Sequence, residues 1–187
     1  QIVMYDFIET FIKTVENLYS LKECYEYIDE MVEKQEDFKE LDLNLFKYKD
    51  IFIRTGKIFG IVNTADCIEN ILKYNLSTAP EFIKTIRLKN NDDMVLITRV
   101  QGSESSEFKR YLDEKNVLSE EERVKVIEDF DKLAENNLYN PSMTEDLNYW
   151  FVLGNEIYID KWVGLLSFES DVDKQEKRKV LLEMCDL

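Results

Sequence analysis

Apolar residues at Met4, Phe7, Ile8, Phe11, Ile12, Val15, Leu18 and Tyr19 recur at three- and four-residue spacing, which predicts a first helix with one apolar face. Ser20-Leu21-Lys22-Glu23 reads as a capping box, in which a serine hydroxyl and a glutamate carboxylate satisfy amides left unpaired at a helix start. Cys24, Tyr25, Ile28, Met31 and Val32 carry a second helix to about Glu36. Two antiparallel helices on a short turn form an αα-hairpin, and the segment 1–46 is expected to be such a hairpin.

From Lys47 the pattern shifts. Residues 48–54 and 57–62 are strand-like and flank Thr55-Gly56, which predicts a β-hairpin. Asn63 or Thr64 can cap a helix carrying Ile68, Ile71 and Leu72, and Ser77-Thr78-Ala79-Pro80 ends it. Residues 82–88 and 94–100 form two more predicted strands around the polar turn 89–93. The segment 47–102 is therefore expected to be a small sheet-containing lobe with a helix inserted between its hairpins.

Beyond Gly102, the segment 103–187 becomes mainly helical. Ser119-Glu120-Glu121-Glu122 is a second capping box, and Val124, Ile127, Phe130, Leu133 and Ala134 place a long helix to about Asn137. After Pro141 come two short apolar stretches separated by Gly154-Asn155, a predicted hairpin. Ser170 caps a last helix with Val180, Leu181 and Met184 on its apolar side. The class is α+β.

Composition narrows the chemistry. The chain has 187 residues and no histidine, which excludes Ser-His and Cys-His nucleophile systems and any His-ligated metal. Cys24, Cys67 and Cys185 are widely spaced and odd in number, and so read as free thiols of a reducing compartment. With 24 basic side chains against 39 acidic ones, the formal charge of -15 disfavours nucleic acid as a direct ligand and suits a protein partner with a basic surface. No apolar run is long enough to span a bilayer, so no membrane contact is expected; the unpaired cysteines and the lack of a visible signal lead to the expectation of a cytoplasmic location. Tyr139, Tyr149, Trp150, Phe151, Tyr158 and Trp162 crowd aromatic area into one segment, which suits either a recognition surface or the core beneath a hairpin. Glu120-Glu121-Glu122 and Asp92-Asp93 fit a helix start and a turn rather than acid-base pairs.

The order of sheet with inserted helix, the short junction Val100-Gln101-Gly102, a helix, a longer helix, a loop, a hairpin and a closing helix resembles the protein-kinase-like fold. The resemblance covers about residues 47–187 and is nearest to the compact kinase-like effectors of bacteria, whose large lobe is reduced. It implies that residues 94–102 enter the interlobe hinge, that residues 139–151 correspond to the catalytic loop, and that Ile157-Tyr158-Ile159-Asp160 is similar to the strand delivering the metal-binding aspartate. A location in a host cytosol goes with the effector likeness.

The same resemblance shows what is missing. The family needs a Gly-rich loop, a lysine on the third strand, a catalytic-loop base, a metal asparagine and the aspartate of D-F-G. No G-x-G-x-x-G exists here. Lys57 is placed at the start of a predicted strand, whereas the family's lysine corresponds to about Ile61 or Val62; Glu69, on the following helix, matches its ion-pair partner. If Asn140 stands for the family's histidine, Ser142 takes the base position and Leu147 the metal position; if Asn148 is the metal asparagine, Met143 takes the base position. Asp146 or Glu145 would serve as base only through an altered loop. Asp160 is the leading metal candidate with Asn148, but Lys161 beside it opposes a divalent ion by charge. The expectation is a non-catalytic, regulatory or effector-like kinase-like protein that acts by protein-protein binding and takes no cofactor. The alternatives are a divergent kinase or nucleotidyl transferase using ATP and Mg, and an acidic inhibitor or immunity-type protein of a bacterium or phage.

Overall fold

The computed structural model describes residues 2–114 and 116–187, with side chains from Phe7 onward; the Met4 side chain of the predicted apolar face lies outside the described residues. The architecture is mixed α+β with antiparallel sheets. It divides into two compact units, Gln1–Ala65 with Phe82–Glu104, and Asp66–Glu81 with Ser105–Leu187.

The first unit opens with helices α1 (Ile2–Val15) and α2 (Leu21–Lys34), followed by strands β1 (Phe38–Asp42), β2 (Leu45–Tyr48) and β3 (Ile51–Lys57). Helix α3 (Ile58–Ile71) follows directly, then β4 (Glu81–Arg87) and β5 (Asp93–Arg99). The strands form one sheet in the order β1-β2-β3-β5-β4, with α3 inserted in sequence between β3 and β4. Phe11, Val15, Cys24 and Ile28 from the helices share a core with Phe46, Tyr48, Ile51, Ile53, Val95 and Ile97 on one face of the sheet. The Phe7 ring stacks on Tyr48 at 3.8 Å between centroids. Fully burying one such aromatic ring contributes about 2–3 kcal/mol, so the helical hairpin is part of the sheet's own core.

Four features depart from the sequence expectation. Thr55-Gly56 is not a turn: β3 runs through it and pairs with β5 from Ile51↔Arg99 to Lys57↔Asp93. A Cβ on Gly56 would meet the Ile61 side chain at 3.4 Å, so the glycine accommodates a helix pressed close to the strand. Residues 58–62, expected as a strand, are the first turns of α3, and that helix needs no start at Asn63 or Thr64. Strands β1 and β2, not foreseen in the segment after Glu36, pair around Asn44, which takes the left-handed conformation at φ 64°. At Ser20 the predicted capping box is half made: the serine hydroxyl makes no cap bond, whereas the Glu23 carboxylate accepts from the Tyr19 N–H.

The second unit contains β6 (Phe108–Arg110), α4 (Tyr111–Glu114), α5 (Glu120–Ala134), β7 (Leu138–Tyr139), α6 (Ser142–Glu145), β8 (Trp150–Leu153), β9 (Glu156–Ile159), β10 (Leu166–Ser167) and α7 (Asp171–Met184). Ser119 and Ser170 cap α5 and α7 as expected, accepting from the N–H groups of Glu122 and Asp173. β8 and β9 form the predicted hairpin across Gly154, at φ 64°, and β6 joins it as a third strand. Tyr111 packs edge-on against Trp150, and Tyr139 stacks on Phe168. Most of the aromatic cluster is interior: Tyr139, Trp150, Phe151, Tyr158 and Trp162 are all buried. Among the described residues no helix is long and apolar enough to cross a membrane.

Candidate functional site

The loop between β7 and β8 is built from the inside out. Asn140 is buried, and its side-chain amide donates to the Lys161 carbonyl at 2.9 Å while its oxygen accepts from the Ser142 N–H at 3.1 Å. That pair of bonds ties the loop to the chain just after β9. Trp150 reaches back from β8 to donate its indole N–H to the Ser142 carbonyl at 2.8 Å, and Trp162 donates to the Ile159 carbonyl at 2.8 Å. Asp146 caps the short 3-10 turn 147–149, accepting from the Asn148 N–H.

Asp160 follows β9, and its N–H donates to the Tyr149 carbonyl at 2.9 Å, so it lies beside the residue after Asn148. The two proposed metal residues thus share one edge of the β8–β9 hairpin. One Asp160 carboxylate oxygen accepts from the Tyr158 hydroxyl at 2.9 Å. The Lys161 ammonium sits over the Tyr149 ring at 4.4 Å. Among the described residues no group of three or more His, Cys, Asp or Glu is placed to hold a metal ion. Of the residues at the two base registers, Met143 is fully buried and Ser142 nearly so; Leu147 lies in the 3-10 turn.

A cavity of about 350 Å³ opens beside this loop, lined by Asn140, Ser142, Glu145, Asp146, Lys161 and Val163 among others. It brings together the loop residues and the segment after Asp160 that are far apart in sequence.

Behind the hairpin lies an anchor that sequence reasoning missed. Asp129 of α5 is 1% exposed, and its carboxylate accepts from the Thr78 hydroxyl at 2.6 Å, the Thr78 N–H at 2.7 Å and the Ser77 N–H at 3.1 Å. Burial pushes its pKa up, and these hydrogen bonds oppose that rise. The Thr78 carbonyl in turn accepts from the Ile159 N–H at 2.9 Å. Asp129 therefore fixes the stretch after α3, and that stretch fixes the end of β9, one residue before Asp160.

In the first unit, Lys57 ends β3 rather than beginning a strand, and Ile61 and Val62 belong to α3. Its ammonium pairs with Asp92 at 2.9 Å and Asp93 at 2.8 Å. Hydrogen bonds to Asp93 and then Asp92 hold its pKa above the usual lysine range. Asp93 also accepts from the Leu21 N–H and the Asn90 amide, so this cluster staples α2 to the β4–β5 turn. Glu69 is an exposed residue of α3 and falls in the second unit. By strand alternation Arg54 shares the face of Gly56, against which Ile61 of α3 packs, while Lys57 points to the opposite face. Arg54 follows the apolar run Ile51-Phe52-Ile53 at the middle of β3, the strand that leads into α3.

No protein-family model matches the chain, and no curated protein matches it. Among solved structures it is similar to the Cydia pomonella granulovirus kinase PK-1, with 12% sequence identity and a TM-score of 0.46 over 78% of this chain. The matched part spans 58% of the length of that kinase chain.

Proposed function

We propose that the chain is a non-catalytic kinase-like protein that acts by binding another protein, with a regulatory or effector-like role in a cytoplasm. The observation that carries this reading is the loop's base position, which holds a fully buried methionine, Met143, in one register and Ser142 in the other, and a carboxylate in neither. The disposal of charge supports it: Lys57 is committed to Asp92 and Asp93 on the side of the sheet that carries α2, and Lys161 follows Asp160 directly. The element order, with a helix between the third and fourth strands of an antiparallel sheet, supports the kinase-like part.

Arg54 favours a second reading, a divergent ATP- and Mg-dependent kinase or nucleotidyl transferase in which the guanidinium on the α3-facing side of β3 takes the role of the family's lysine. A thermal-shift titration with ATP, with and without magnesium, on the wild type and on Asp160→Ala separates the two. Ligand at about 100 times its dissociation constant adds about 2.7 kcal/mol to stability. The binding-protein reading expects no shift at millimolar nucleotide. A magnesium-dependent shift that Asp160→Ala abolishes overturns it.

A further inference from the structure

We infer that the cavity beside residues 140–146 seats a cationic side chain, an arginine or lysine presented by a basic segment of a partner protein. The inference rests on the binding-protein reading and names the partner's chemistry at one point of contact.

The groups left over around the cavity are acceptors. Ser142 is 6% exposed, and both of its backbone groups are used, the N–H by Asn140 and the carbonyl by Trp150. Its hydroxyl makes no hydrogen bond to any described residue, and Ser142 lines the cavity. Glu145 is exposed and makes no ion pair with a described residue. Asp146 spends one carboxylate oxygen on the Asn148 N–H at 2.9 Å and keeps the other. The one lysine lining the cavity, Lys161, is engaged by the Tyr149 ring and neutralises neither carboxylate. Two carboxylates and a hydroxyl against one ammonium leave the cavity with a net negative charge and surplus acceptor capacity. A guanidinium or ammonium, which only donates, complements that set; an anion would face both carboxylates.

A divalent ion is the poorer fit, because two carboxylates beside an ammonium fall short of the six or more oxygen ligands it takes. The methylene stem of a long basic side chain also has a surface to lie on, since Pro141 and Val163 line the same cavity and Val163 is 47% exposed. The formal charge of -15 steers a basic segment towards the chain before contact.

The test is a ¹H–¹⁵N correlation titration of the full chain with Nα-acetyl-arginine methylamide, compared with the norleucine analogue and with spermidine. The expected result is saturable shifts confined to the amides of residues 140–146 and 161–164, produced by the arginine compound and not by norleucine. In the Glu145→Gln/Asp146→Asn double variant, in which the amide at 146 can still cap the turn, the apparent Kd should rise about tenfold, and Ser142→Ala should raise it by a smaller factor. Shifts that do not saturate, that spread over Glu26, Glu30 and Glu33 of α2, or that survive the double variant overturn the inference. Spermidine binding in the cavity without arginine binding overturns it as well, because the occupant is then a free polyamine. Loss of the arginine site with no nucleotide shift leaves the binding-protein reading standing, whereas a magnesium-dependent nucleotide shift that Asp160→Ala abolishes removes that reading whatever the arginine compound does.

Discussion

The carboxylate of Asp129 grips Thr78 twice, taking its hydroxyl at 2.6 Å and its backbone N–H at 2.7 Å across 51 residues of sequence. Thr78 passes the constraint on through its carbonyl to Ile159. Leaving buried donors without their partner costs about 1–3 kcal/mol each. Asp129→Ala is therefore expected to lower stability by about 2–4 kcal/mol, and Thr78→Val by about 1–2 kcal/mol, in urea unfolding with an unchanged m value. In the double variant the two losses should fall short of additive, because both single changes remove the same bonds.

The cluster around Asp93 gives acid sensitivity of a definite sign. Burial alone would raise its pKa, but hydrogen bonds from Lys57, Asn90 and the Leu21 N–H outweigh burial and lower it. A carboxylate with a folded pKa below its unfolded value of about 3.9 stabilises the fold above that pH, and the contribution is lost as pH falls through the folded pKa. Asp93→Asn should cost about 1–3 kcal/mol at neutral pH, and the gap to wild type should close below about pH 4. Unfolding free energies measured at neutral pH and in acid check both parts; a gap that persists in acid would contradict the assignment. Asp129 contributes with the opposite sign, since burial raises its pKa: stability from that site grows as pH falls through the folded value and is fully present below the unfolded value of about 3.9.

The three thiols are buried, and burial pushes the pKa of Cys24 up to about 12, of Cys67 to about 11 and of Cys185 to about 12. Only thiolate reacts with alkylating agents. Iodoacetamide at mildly alkaline pH should leave the native protein unmodified over hours and modify all three cysteines within minutes in denaturant, read by mass spectrometry of the digested chain. Rapid native labelling at any one site would locate a segment that opens without global unfolding.

The parts of the fold that were legible in the sequence were those whose signals are local. Ser119 and Ser170 announce α5 and α7, and Gly154 separates two apolar runs of hairpin length. The first sheet was harder to read because both faces are covered: Phe46, Ile53 and Ile97 are buried with the helices, and Leu45, Lys47, Phe52, Leu96 and Thr98 are buried on the other face. Strands buried on both sides lose the alternation that identifies them. Lys47, interior at 7% exposure, reads in sequence as a boundary of the strand rather than part of it, although burial depresses its pKa. Gly56 and the apolar run 58–62 imitate a turn and a strand, and only the closeness of Ile61 explains the glycine. Around the candidate site, Asp160 and Asn148 could be placed on a hairpin because their elements are consecutive. The Asp129–Thr78 anchor and the cavity lined with Lys161 join distant positions, which no local pattern encodes.

Both tryptophans of the chain, Trp150 and Trp162, belong to the second unit, and both are fully enclosed and bonded through their indole N–H groups. Indole emission is thus a private optical channel for that unit, blind to the five-stranded sheet, while far-ultraviolet dichroism averages over both. Coincident transitions by the two signals would mark the units as one cooperative body. Separated transitions would tell which unit keeps its structure without the other, from the unlabelled wild-type chain in a single denaturant series.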